Sequence, residues 1–283
     1  MKIVTIFSMH EDFIELQYNS IVKHVKGDYE YIVFNNASSS TQFINNENMC
    51  NKLNIKCINI NTNNFSGASN IAGGALDEVF KYFKNELIFK IDSDMFFISD
   101  INLESLMSNN DIVYLPSFSH NDIEWMWSGL FGLNTKIIDN PIYCRPVSGK
   151  GDTFIESHIL LDNEVNSRKK INLFGLQTCV GDNMITSCNN DCGIYFNKNG
   201  EITFIEKHNF ELKYNLSGVN LYEIYQNIEK CMIKYEFPEE YLIDIIRIDD
   251  IDTIIHFKSA SWGGYSGDYM KKKKQALKKL LNK

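Results

Sequence analysis

Two aspartates one residue apart, Asp92 and Asp94, close an apolar run in the stretch Glu86 to Ser99, ELIFKIDSDMFFIS. Carboxylates offered together from the carboxyl end of a buried strand can hold a divalent cation. In an open parallel α/β sheet that end is also where ligands gather. The chemistry within reach is displacement of a phosphate-bearing leaving group, with a cation neutralising the charge that develops on it. By itself the triplet is a weak signal, because a second one stands at Asp250 and Asp252. What surrounds each pair has to separate them.

The elements leading to Asp92 alternate in type. Ile3 to Phe7 reads as a strand, Ser8 with Glu11 three residues on reads as a capping box, and Ile14, Tyr18, Ile21, Val22 and Val25 recur with the period of an amphipathic helix. A strand over Tyr29 to Phe34, a helix over about Thr41 to Leu53 and a strand over Ile55 to Ile60 follow. This order predicts right-handed crossovers and a parallel sheet. The next helix, Asn70 to Phe83, carries Gly73 and Gly74 near its start. Each costs about 1 kcal/mol relative to Ala, so either a ligand approaches the backbone there or the helix packs closely on the sheet. The strand Leu87 to Ile91 then delivers the aspartates, and strand alternation predicts that Asp92 and Asp94 point one way and Ser93 the other. The rival pair, in IIRIDDIDTIIHF with Asp249 beside it, reads as a solvated edge hairpin turn.

Composition narrows the class. A chain of 283 residues, 44% hydrophobic and 13% aromatic, can bury a large core. Disorder and coiled coil fit poorly. No run approaches a membrane span, and MKIVTIFSMHEDF meets charge too early for a signal peptide, so the expected location is the cytoplasm. Seven scattered cysteines predict reduced thiols. Cys188 and Cys192, with Cys179 nearby, lack the histidine or second pair that a zinc site needs. Net charge is −8, although the C-terminal KKKKQALKKLLNK carries seven lysines. The remainder is therefore strongly acidic and repels nucleic acid. The tail reads as a solvated helix, with peripheral contact to an anionic membrane as the alternative.

The three-strand α/β half, the helix bearing Asn70 and the strand ending in DSD together resemble the GT-A fold glycosyltransferases. EWMWSGLFGLN (Glu124 to Asn134) looks like the strand that follows the metal motif in that superfamily. IIHFKSASWGG (Ile254 to Gly264) resembles a segment where a histidine completes the metal site and a basic residue meets the diphosphate. The style and composition are similar to glycosyltransferases encoded by large DNA viruses, which would place the protein in host cytoplasm. The resemblance implies a Rossmann-like α/β domain over residues 1–264, with a mostly parallel central sheet flanked by helices and a smaller mixed sheet. It divides into a nucleotide-binding half, 1–115, and an acceptor-binding half, 116–264, before a basic helix or tail, 265–283.

The same resemblance implies roles. Asp94 would bind Mn²⁺ or Mg²⁺ directly, Asp92 would bind ribose or the metal, His256 would supply a metal nitrogen and Lys258 would meet the diphosphate. An imidazole ligand tilts the choice to Mn²⁺. Phe7, Asn35 or Asn36, Asn70 and Ser93 would grip the nucleotide. Trp125, Trp127 and Trp262 are candidates for stacking on sugar or base, or for the core. An inverting enzyme needs a carboxylate base, for which Asp182 comes first and Asp152 second; a retaining one could use Gln177 or Asn183. The implied reaction moves a sugar from a nucleotide-sugar, a UDP-sugar in the first instance, to a hydroxyl of a glycan, protein or lipid. The alternatives are a sugar-phosphate nucleotidyltransferase, which would want a Gly-rich basic loop where SMHEDF stands, and a non-catalytic sugar-binding protein.

Overall fold

The computed structural model describes residues 1–62, 64–118, 123–148, 152–179, 184–189, 192–196, 202–203, 243–257 and 268–282. The chain divides into two compact units. The first comprises Met1–Met95 and Asp100–Ile171, and the second Phe96–Ser99 and Asn172–Lys283.

The first unit carries the alternating elements. They run β1 (Lys2–Phe7), α1 (Glu11–His24), β2 (Val25–Lys26), β3 (Glu30–Asn35), α2 (Ser40–Lys52), β4 (Lys56–Asn59), α3 (Ala68–Tyr82) and β5 (Leu87–Ile91). After β6 (Met95–Phe97) come β7 (Ile101–Asn102), α4 (Leu103–Ser108), β8 (Ile112–Phe118), β9 (Glu124–Asn134), α5 (His158–Asp162) and β10 (Arg168–Lys170). The central sheet has the order β10-β8-β9-β5-β1-β3-β4. Its pairs β1/β3, β1/β5, β3/β4 and β8/β10 are parallel, and β9 alone is antiparallel to both neighbours, β5 and β8. This is the mostly parallel α/β sheet expected. Apolar residues of β1, β3, β5, β8 and β9 are buried together with Leu76 and Val79 of α3 and Phe83 just after it, which is how the helix covers one face.

Local signals held in some places and failed in others. Ser39 caps α2 as a side-chain acceptor for the Gln42 amide, 3.2 Å away. The expected capping box at Ser8 does not form. α1 starts at Glu11, after His10 in the left-handed region (φ 63°), and no side chain caps it. Glu11 instead accepts hydrogen bonds from Gln42 and Asn45, tying α1 to α2. The buried stripe of α1 is also different, since it includes Gln17 and Ser20 while Val22 is exposed.

The glycine pair of α3 is explained by packing. A Cβ on Gly73 would stand 2.6 Å from both the Cys144 carbonyl oxygen and the Arg145 Cα, and one on Gly74 would meet the Phe65 ring. Gly73 therefore admits a loop against the helix, where a ligand or the sheet had been expected. Gly73→Ala would gain about 1 kcal/mol of helix propensity and lose about 1–3 kcal/mol to overpacking. Because its obstacle is backbone, the loss wins, and urea denaturation should show net destabilisation. Gly74→Ala meets a ring that can turn, and should cost less than Gly73→Ala.

In the second unit the strands are β11 (Asn172–Cys179), β12 (Met184–Asn189), β13 (Cys192–Phe196), β14 (Ile202–Thr203), β15 (Ile243–Ile248) and β16 (Ile251–His256), and the helix is α6 (Asp268–Leu281). Its sheet has the order β14-β13-β12-β11-β15-β16-β6. The pairings from β11 to β16 are antiparallel. Asp249 and Asp250 form the two-residue turn between β15 and β16, both with positive φ (52° and 62°), as a hairpin of this type requires. They are solvated, as expected, but the hairpin lies inside the sheet and Asp252 is buried on β16, paired to the Arg247 Nε at 2.6 Å. In α6, Leu277 is fully buried, so its apolar side is at least partly used within the protein. Among the described residues no helix is long and apolar enough to cross a membrane. Cys50, Cys57 and Cys144 are free thiols.

Candidate metal centre

β5 ends at Ile91, and the aspartates occupy a turn and not a strand continuation. The Met95 amide donates to the Asp92 carbonyl at 3.1 Å, closing a four-residue turn over Asp92–Met95. The alternation argument therefore does not apply to them. Their carboxylates nonetheless converge, with one oxygen of each within 4.8 Å of the other. Two oxygens that each stand about 2.1–2.5 Å from a single cation are at most about 5 Å apart. The pair thus fits one hard divalent cation. Asp94 is almost fully buried (1% exposed), whereas the Asp92 side chain is 35% exposed. Ser93, between them, is buried.

Three residues that sequence reasoning did not select hold this turn. Gln17 of α1, fully buried, donates through Nε2 to the Asp92 carbonyl at 2.8 Å and to the Met95 carbonyl at 2.7 Å. Its Oε1 accepts from the Tyr31 hydroxyl at 2.7 Å, and burial pushes that phenol well above its ordinary pKa, so Tyr31 acts as a neutral donor. Thr5 of β1 donates to the Ile91 carbonyl at 2.8 Å. Lys90, two residues before Asp92 and only 4% exposed, hydrogen-bonds to Asp92 Oδ1 and stands 3.5 Å from the Gly129 carbonyl. A glutamine on the apolar side of a helix and a lysine inside an apolar strand were the available signals.

The structure disperses part of the expected nucleotide grip. The Phe7 ring is fully buried, so β1 presents there only its carbonyl, which accepts from the Asn36 amide at 2.8 Å. Asn35 is likewise buried and spent on structure. Its Nδ2 donates to the Phe43 carbonyl and Asn59, and its Oδ1 accepts from Asn46 and Ala37. These two side chains cannot grip a base as folded. Asn36 lines a cavity of about 480 Å³ at the carboxyl ends of β3 and β4, together with Ser38, Ser39, Asn59 and Thr62. Asn70 is exposed in the first turn of α3 and donates to the Ser66 carbonyl.

Asp152 is exposed, and its carboxylate accepts from the amide and hydroxyl of the adjacent Thr153; it caps no helix, since the short helical turn that follows starts at Ile155 with no side-chain cap. Trp125 is buried in the core, while Trp127 is half-buried, its indole folded over Gly129. Asp182, Asn183, Lys258 and Trp262 lie outside the described residues, as does the side chain of Gln177.

His256 is the last residue of β16 and is buried. Within the second unit the Ile98 amide donates to the Thr253 carbonyl (2.9 Å) and the Ser99 hydroxyl to the Asp252 carbonyl (2.6 Å). Partner numbers fall as strand numbers rise, so β6 runs antiparallel to β16. The start of β6 is therefore at the end of this ladder where β16 reaches His256.

No family model matches the chain, and no curated protein matches it by sequence. Solved structures do resemble it. The galactosyltransferase LgtC, in complex with donor and acceptor sugar analogs, is 15% identical over 48% of this chain and 58% of its own, with a TM-score of 0.38. The mannosyltransferase PcManGT from Pyrobaculum calidifontis, in complex with GDP-Man and Mn²⁺, is 10% identical over 60% and 53%, with a TM-score of 0.42. The glycosyltransferase GlyE of Streptococcus pneumoniae is 12% identical over 99% and 62%, with a TM-score of 0.43. The chain spans less than two thirds of the length of each of these structures.

Proposed function

We propose that this protein is a metal-dependent glycosyltransferase that moves a sugar from a nucleotide-sugar, a UDP-sugar first among donors, to a hydroxyl of a glycan, protein or lipid. The observation that carries the reading is the clamped turn of Asp92–Met95. It offers two converging carboxylates at the carboxyl end of a central strand, in the sheet position where α/β folds bind their ligands.

In this reading Asp92, Asp94 and His256 hold one Mn²⁺ or Mg²⁺. The histidine's place in the set rests on the resemblance of IIHFKSASWGG to the segment where a histidine completes such a metal site. When bound, the cation supplies Lewis-acid neutralisation of the departing diphosphate. Lys258 adds a positive charge for the same leaving group, and Ser93, Asn36 and Asn70 face the nucleotide. The chain's own work is to orient the donor and take a proton. Asp182, or Asp152 in its place, accepts the proton of the acceptor hydroxyl in an inverting reaction.

Incubation with Mn²⁺ and a panel of nucleotide-sugars, following release of nucleoside diphosphate by slow donor hydrolysis, tests the reading and identifies the donor. One or more donors should be hydrolysed only with metal present. Turnover of a nucleoside triphosphate with a sugar phosphate, with every nucleotide-sugar inert, would show a nucleotidyltransferase instead.

A further inference from the structure

Lys90 is an expensive residue where it stands. An ammonium taken out of water costs several kcal/mol unless a good partner meets it, and an apolar side chain would fill the same space in β5 at no such cost. Its partner is Asp92 Oδ1, with the Gly129 carbonyl as its second neighbour. The placement also matters electrostatically. Asp92 and Asp94 are two carboxylates with oxygens within 4.8 Å of each other, one of them buried. Lys90 reduces the formal charge of that group from −2 to −1.

We propose that Lys90 is a built-in counter-cation of the aspartate pair, which keeps one oxygen of Asp92 and so makes the divalent cation bind weakly until a nucleoside diphosphate arrives with it. This rests on the reading of the pair as a metal site. With Oδ1 held by the ammonium, Asp92 offers the metal its other oxygen only, beside Asp94. A dication then leaves the cluster at +1, where without Lys90 it would be neutral. That residual positive charge attracts the diphosphate, whose oxygens complete the coordination. Because coupling between two ligands is reciprocal, UDP must tighten Mn²⁺ by the factor by which Mn²⁺ tightens UDP.

The test is calorimetric titration of Mn²⁺, UDP and each in the presence of the other, with the wild-type protein, Lys90→Met and Lys90→Gln. Methionine is one atom shorter and removes the charge; glutamine, equally short, keeps a hydrogen-bond donor. Wild type should bind Mn²⁺ at least about tenfold more tightly when UDP is present. Both variants should bind Mn²⁺ alone about tenfold or more tighter than wild type, and bind UDP over saturating Mn²⁺ more weakly. A purely structural lysine would not move the two affinities in opposite directions. Unchanged or weaker Mn²⁺ binding in a folded variant overturns the proposal. So does equal Mn²⁺ affinity of the wild type with and without UDP, a result that needs no variant. If wild type binds no Mn²⁺ even with UDP present, the metal-site reading itself has failed.

Discussion

Asp94→Asn is expected to remove Mn²⁺-dependent binding of the nucleotide and to lower donor hydrolysis by on the order of 10²–10³-fold or more, the scale seen when one preorganised charge-stabilising group is lost from an active site. The amide has the size of the carboxylate, so the turn that carries it should survive. What disappears is the negative charge at the most buried of the candidate ligands. Stability supplies a readout independent of catalysis. A ligand present at 100 times its Kd stabilises a protein by about 2.7 kcal/mol, so Mn²⁺ with UDP should raise the melting temperature of the wild type and leave that of Asp94→Asn unchanged. Asp250→Asn is the matched control, because Asp250 belongs to the sequence twin of the motif but lies exposed in the β15–β16 turn. It should behave as wild type in both assays. Full Mn²⁺-dependent activity in Asp94→Asn would remove Asp94 from the site.

Sequence pattern exposed the scaffold of this site better than its supports. β5 has the boundaries read from its apolar run, and helices stand before and after β3 as read, because burial of one face is written directly in residue spacing; β9 coincides with the segment that the resemblance, not the spacing, picked out. Three-dimensional partnerships are not written that way. Ser8 and Glu11 have the spacing of a capping box, yet the left-handed turn at His10 moves the helix start and sends Glu11 to α2. Phe7 and Asn35 stand at the carboxyl ends of strands, where ligand contacts are common, but the interior claims both side chains. Gln17 shows the converse. In the sequence it interrupts an apolar stripe. In the fold it is the group that fixes Asp92 and Met95, 75 and 78 residues away.

The cost of removing that group is the second large effect. Gln17→Leu keeps the side chain's bulk and abolishes three hydrogen bonds, two donated to the turn and one accepted from Tyr31, of which all but the one to Asp92 are buried. Each bond contributes about 0.5–1.5 kcal/mol, and each buried partner left unsatisfied costs about 1–3 kcal/mol. Water can relieve part of this at Asp92, which is partly exposed, but not around Tyr31. The expected loss is therefore about 3–5 kcal/mol, a large share of the roughly 5–15 kcal/mol that holds a domain together. Tyr31→Phe removes only the bond to Oε1 and should cost about 1 kcal/mol. Urea denaturation of the two variants should reproduce that order. The turn also positions the ligands, so Gln17→Leu, at a temperature where it remains folded, should bind Mn²⁺ with UDP at least about tenfold more weakly, since small misplacements of a preorganised site are costly. Tyr31→Phe should bind nearly as wild type. A Gln17→Leu protein within 0.5 kcal/mol of wild type, with unaltered Mn²⁺ affinity, would mean that the turn holds its shape without the clamp and that packing around Asp94 alone orients the carboxylates.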